Sequence, residues 1–155
     1  MTKNTGFTLI EVLIAMLVLA VGLLGLAGLQ ATSLRNNQSA YNRSQATQLA
    51  YDLGDRMRAN VAGKTTYTAI LPSSATAKPN CLTTTGCNPV DMAENDLFEW
   101  ISAVRNNLPS GIGTIAPNPN PCISTCIYTI TIFWDDDRLD NIDINNFNFQ
   151  TRFQL

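Results

Sequence analysis

The sequence predicts an α+β fold in which one long N-terminal helix packs on a small antiparallel sheet, with a second short helix beside it. Three observations predict it. No proline occurs between Thr8 and Arg58, so nothing there forces the backbone out of a helix. A second helical period follows Asn88-Pro89. Two late stretches carry the β-branched and aromatic residues, and the alternation, of strands.

The first helix opens on an almost wholly apolar stretch from Phe7 to Leu29, in which Glu11 is the only charged residue. About 23 residues at ~1.5 Å each give roughly 35 Å, enough to cross a hydrocarbon core of ~30 Å. A lone carboxylate in such a helix costs a few kcal/mol unless it is paired, which marks it as functional. The residues before it supply the partner. Met1 to Gly6 form a short polar leader with one positive charge, Lys3. Cleavage after Gly6 would leave Phe7 as a new N-terminus, with its ammonium group one helical turn from Glu11. A neighbouring copy's ammonium can neutralise Glu11 and fix the stagger between two parallel helices. Gly22, Gly25 and Gly28, with Ala15, Ala20 and Ala27 nearby, let helices approach closely in lipid.

From Gln30 to Asn60 the chain turns polar but keeps its helical period. Ala46, Leu49, Ala50, Leu53 and Met57 share one face, with Asp52, Asp55, Arg56 and Arg58 mainly off it. Asn60 and Gly63 supply a stop, giving one helix of roughly 50 residues whose second half is the spine for the sheet. Lys64 to Asn88, rich in Thr, Ser, Ala and Pro, reads as a loop-dominated connector.

Asn88 then caps a second helix, with Pro89 in its first turn. Leu97, Trp100, Ile101, Val104 and Leu108 form its apolar face, and Pro109 and Gly111 end it. Asp91, Glu94 and Asp96 near its start and Arg105 near its end suit the helix dipole. Ile112 to Ile115 reads as a short strand, and Pro117, Pro119 and Pro121 as a stiff loop. Cys126 to Trp134 reads as a strand and Asp135 to Arg138 as a turn. Phe147 to Leu155 alternates as a half-buried strand antiparallel to it. Trp100 and Trp134, on a helix and a strand, are expected in the core.

Composition bounds the chemistry. The chain has 155 residues, 45% hydrophobic and 14% charged, with net charge −2, so no basic surface marks it as a strong nucleic-acid binder. Histidine is absent, which removes the commonest general base and metal ligand. No G-x-S-x-G, phosphate-binding loop or paired buried carboxylates appear, so the sequence predicts neither an enzyme nor a cofactor. Cys81, Cys87, Cys122 and Cys126 all follow the apolar segment. In an exported domain they point to two disulfides, the alternative being a four-thiolate zinc site. Of the possible pairings, Cys81–Cys87 and Cys122–Cys126 each close a short loop. Asp135, Asp137 and Asp140, in a run that also holds Asp136 and Asp143, are a candidate calcium site; a solvated turn is the plainer reading.

The stretch GFTLIEVLIA closely resembles the type IV prepilin signature, residue for residue. The resemblance implies cleavage by a prepilin peptidase after Gly6, methylation of the Phe7 amine, and assembly into a helical filament with Glu11 as the registering glutamate. It divides the chain into a leader (1–6), a membrane and assembly helix (7–29) and a periplasmic domain (30–155). Many pilins carry a helix-bending proline where this chain has Gly28. Further on, Leu108-Pro109-Ser110-Gly111 and Tyr128-Thr129-Ile130-Thr131-Ile132, with Trp134 and Asp136, resemble the minor pilin family called PilV. That implies a low-abundance subunit that initiates pili with other minor pilins and the major pilin, at the tip, supporting twitching motility and adhesion. It would reside in the inner membrane first and on the pilus afterwards. Two rivals share the N-terminal signature: a minor pseudopilin of a type II secretion system, and a tip adhesin or DNA-uptake subunit using the Lys64–Asn88 and Asn118–Cys126 loops.

Overall fold

The computed structural model describes residues 6–119, 126–135 and 148–155. The chain forms two compact units, Met1–Ser39 and Ala40–Leu155. Helix α1 runs without a break from Leu9 to Ala59 and enters both. In the first unit it buries nothing; Asn42 is its first buried residue. In the second, Ala46, Ala50, Leu53 and Met57 are fully buried, and Leu49 packs against the same core, as the apolar period predicts.

Asn60 ends α1 and turns the chain. Its side chain accepts a hydrogen bond from the Gly63 N–H at 3.2 Å and donates to the Pro89 carbonyl at 2.8 Å. The connector that follows is more ordered than its composition suggests. It holds a one-turn helix, α2 (Thr66–Ala69), and 3₁₀ turns at Pro72–Ser74 and Pro79–Leu82. Pro72 and Pro79 open those turns because their fixed φ already suits a first helical position.

Helix α3 spans Pro89–Asn107, with Asn88 as its N-cap accepting from the Asp91 N–H at 2.8 Å. Leu97, Trp100, Ile101, Val104 and Leu108 are all buried. Three antiparallel strands follow: β1 (Ile112–Asn118), β2 (Ile127–Phe133) and β3 (Asn148–Gln154), in the order β1-β2-β3. The register stacks Gly113, Ile132 and Phe149 in one row, Ile115, Ile130 and Thr151 in the next, and Pro117, Tyr128 and Phe153 in a third. These rows form the inner face, with Tyr128, Ile130 and Ile132 at its centre, all buried.

One expectation is corrected here. The strand expected to end at Ile115 continues to Asn118, taking in Pro117, which the sequence places in a loop. Among the described strands β1 lies at the edge, and an edge tolerates proline because one side of its backbone carries no ladder bonds.

Trp100 ties the layers together. Its indole N–H donates to the Leu49 carbonyl of α1 at 2.9 Å, and its ring lies so close to Gly113 of β1 that a β-carbon there would collide with it. Trp134 is also buried. Both tryptophans are therefore core residues, as their helix and strand settings predict.

Candidate functional site

The N-terminal turn of α1 is built by Thr8. Its hydroxyl and its carbonyl both accept from the Glu11 N–H, at 3.4 Å and 3.1 Å. Thr8 and Glu11 have the spacing of a capping box, so the local sequence holds Glu11 in the first turn without tertiary contacts. Phe7, Glu11 and Ala15 lie along one groove of this helix with Val12, Met16 and Leu19. Phe7 is 84% exposed, and the Glu11 carboxylate has no hydrogen bond or ion pair among the described residues. Gly6 precedes the helix; a β-carbon added there meets nothing within 4 Å, and the same holds at Gly22, Gly25 and Gly28. Among the described residues no packing requires these glycines. The helix is long and apolar enough to cross a membrane.

In the second unit α1 and the connector are both fastened to α3 by charge. Arg56 donates to Asp52 at 3.1 Å, Asp96 at 3.1 Å and Glu99 at 2.8 Å. Tyr67, fully buried, donates its hydroxyl to the other Asp96 oxygen. Lys78 pairs with Glu94 at 2.9 Å, and Thr76 donates to the same carboxylate through its N–H at 3.1 Å and its hydroxyl at 2.5 Å. Asn95 accepts from the Lys78 N–H at 2.9 Å and donates to Glu99 at 3.0 Å.

These contacts shift the groups involved. Burial works against the Arg56 charge, but Glu99, Asp52 and Asp96 outweigh it and hold its pKa up. Burial, then Asp96, raises Tyr67. Lys78 and then Thr76 hold the Glu94 carboxyl down at about 2. Arg56 lowers Glu99. The arrangement gives each of these carboxylates a partner and ties α1, the connector and α3 together.

The sequence assigns Glu94 and Asp96 only to the helix dipole, and misses their tertiary partners and those of Asp52 and Glu99. A signal was present. Asp96 stands four residues before Trp100, on the apolar stripe of α3, where an acid needs a buried partner.

Cys81 and Cys87 are joined by a disulfide with their Cα atoms 4.7 Å apart, which closes the expected short loop and removes both from any zinc site. Cys126 is also disulfide-bonded; Cys122, its expected partner, lies outside the described residues. Of the candidate calcium ligands, Asp135 adjoins β2 and donates its N–H to the Pro109 carbonyl at 3.0 Å, while Asp137 and Asp140 lie outside the described residues. Among the described residues no group of three acids or cysteines is placed to hold a metal.

The prokaryotic N-terminal methylation motif matches residues 1–27, and the family model described as Type IV pilin Tt1218 matches residues 28–98. The chain carries a type IV pilin domain behind a prepilin methylation motif. Neither the curated proteins nor the solved structures contain a significant match.

A type IV pilin is a structural subunit rather than an enzyme. The motif and the apolar helix fit anchoring in the inner membrane followed by incorporation into a pilus. They also imply contact with a prepilin peptidase and with other pilus components. The pilin match stops at Phe98 inside α3, so the whole sheet lies beyond it.

Proposed function

We propose that this pilin is a minor pilin of the PilV type, which joins other minor pilins and the major pilin to start a type IV pilus and stays at its tip. In that position it supports twitching motility and adhesion. Gly6 is the cleavage position, Phe7 the methylated N-terminus and Glu11 the registering acid. Residues 1–6 are then the leader, 7–29 the membrane and assembly helix, and 30–155 the periplasmic domain. The second disulfide of that domain is Cys122–Cys126.

The observation that carries this reading is Glu11, a carboxylate in the first turn of an apolar helix with no partner among the described residues. A group so placed is costly in lipid until a cation meets it, and the ammonium of Phe7, in the same molecule or a neighbour, is the cation at hand. Gly6 adds support. Among the described residues nothing crowds it, so the demand for glycine fits one from outside, as a peptidase cleft would impose. The minor-pilin assignment rests on the resemblance of Leu108 to Gly111 and of Tyr128 to Ile132, with Trp134 and Asp136, to the PilV pattern.

The test is a strain lacking this gene, scored for sheared surface pili, twitching and secreted protein together. Loss of pili with secretion intact is the expected result. Intact pili with exported proteins held in the periplasm would assign the chain to a type II secretion system instead. Complementation with Glu11→Ala or Gly6→Ala should leave the periplasmic domain folded but fail to restore pili. Normal piliation with either variant would count against the roles given to these residues.

A further inference from the structure

Where α1 leaves its apolar run at Leu29, its charges are all of one sign. Between Glu11 and Asp52 the only charged residues are Arg35 and Arg43. Both are exposed, and neither guanidinium has a hydrogen bond or ion pair among the described residues. No aromatic residue stands between Phe7 and Tyr41. The Trp or Tyr that commonly anchors a membrane helix at the interface is therefore missing at this exit.

The apolar run does not fix its own depth. Thr32 closes its hydroxyl on the Gly28 carbonyl at 3.1 Å, and the exposed Leu34 is apolar again. A hydroxyl bonded within the helix tolerates loss of water, so the run can slide past Leu29 by about a turn. Arg35 is the first group to resist. It stands about 9 Å beyond Leu29 by helical rise, and a helical side chain leans back toward its own N-terminus. So directed, its long stem carries the guanidinium into the headgroup layer, which adds about 5–7 Å to each side of a ~30 Å core. Arg43 stands roughly 12 Å further along the same helix, beyond that layer. From Glu11 to Arg35 the helix rises roughly 36 Å, more than the core and less than the ~40–45 Å of the whole bilayer. Arg35 at one headgroup layer therefore brings Glu11 close to the other, where its charge costs least until a partner meets it.

We propose that Arg35 binds the headgroup phosphate of an anionic phospholipid on the periplasmic side, and so sets the depth of α1 before assembly. The planar guanidinium meets two phosphate oxygens at once. From Val12 to Tyr51 the helix holds no acid, so nothing on this part of it competes with the lipid. Its positive charge favours an anionic headgroup over a zwitterionic one. Assembly has to break this contact, because a subunit that leaves the lipid leaves the headgroup behind. The proposal rests on the reading of residues 7–29 as a membrane span.

The test places the full chain, one copy to a disc, in nanodiscs of equal parts phosphatidylcholine and phosphatidylglycerol, and counts retained lipids by native mass spectrometry. Phosphatidylglycerol should be enriched among the lipids that the natural chain retains. Arg35→Gln should lower that enrichment about fivefold, the equivalent of ~1 kcal/mol for one arginine at an anionic surface. Arg35→Lys should keep most of it. Arg43→Gln should change it by less than about twofold, because that charge lies more than a screening length of ~8 Å from the headgroups. Both positions are exposed on an unbroken helix, so the variants should fold, which circular dichroism verifies. Equal retention of the two lipids by the natural chain would overturn the proposal, as would equal losses in Arg35→Gln and Arg43→Gln. Enrichment abolished by millimolar inorganic phosphate would reduce the contact to a free-anion site and overturn it too. A preference seen only with two chains in a disc would assign Arg35 to an acid of the second copy, against the proposal. A chain that fails to enter the discs would overturn the membrane span itself, whereas an inserted chain without lipid preference overturns the role of Arg35 alone.

Discussion

Gly113 shows how one missing side chain sets the spacing of two layers. The Trp100 ring lies over it, at a distance no β-carbon tolerates. The ring cannot retreat without giving up its hydrogen bond to the Leu49 carbonyl. Gly113→Ala should therefore cost about 1–3 kcal/mol, the usual range for overpacking a filled core. Urea denaturation followed by tryptophan fluorescence measures this directly. Gly25→Ala is the control, because a β-carbon there meets nothing within the chain. By helix propensity it should be neutral or stabilising, by up to ~1 kcal/mol. The two glycines look alike in the sequence. Only the approach of Trp100 from a residue 13 positions away separates them, and no local pattern announces it.

Among the elements, α3 and the spine of α1 were legible because their apolar residues repeat at helical spacing and their caps are spelled out by Asn88, Pro89 and Asn60. The alternation of β2 and β3 was legible for the same kind of reason. The extra length of β1 was not, since Pro117 reads as a breaker until its place at the sheet edge is known. The connector was the least legible. Its order comes from Glu94, Asn95 and Asp96 reaching out of α3 to Thr76, Lys78 and Tyr67, and partners of this kind leave no period in the chain. This clamp has a pH signature. Glu94 is held down at about 2 and Glu99 is also lowered, against an ordinary glutamate value of ~4.3. A carboxyl whose folded pKa is depressed stabilises the fold above its unfolded value and loses that contribution as pH falls toward the folded one. The connector should thus loosen between about pH 4.3 and 2. Amide exchange at Thr76 and Lys78 should accelerate in that window while the amides of β2 stay protected. Glu94→Gln should abolish most of the acceleration at Thr76, and an unchanged acid profile in that variant would show that the clamp is not its source.

At the scale of the whole molecule, the two units answer to different solvents. Residues of α1 before Asn42 are exposed throughout the described chain, or at most partly covered, and the apolar ones among them are suited to lipid and to other subunits. Every residue of the hydrophobic core, from Ala46 to Trp134, belongs to the second unit together with the Cys81–Cys87 disulfide. A chain that begins at residue 30 keeps that core complete and loses only surface meant for lipid. It should therefore fold in water without detergent, with a melting temperature within a few degrees of the full chain's in micelles. It should also retain the Cys81–Cys87 bond by peptide mapping under non-reducing conditions. Such a fragment should be absent from membranes and filaments, because it lacks Glu11 and the helix that carries it. Leu53→Ala within the fragment sets the scale for failure. Leu53 is fully buried, and its truncation should cost roughly 2–5 kcal/mol whether or not the membrane half is present. If the fragment instead aggregates or melts far below the full chain, part of its stability resides in the helix before residue 30, and the folded domain has to be redrawn to include it.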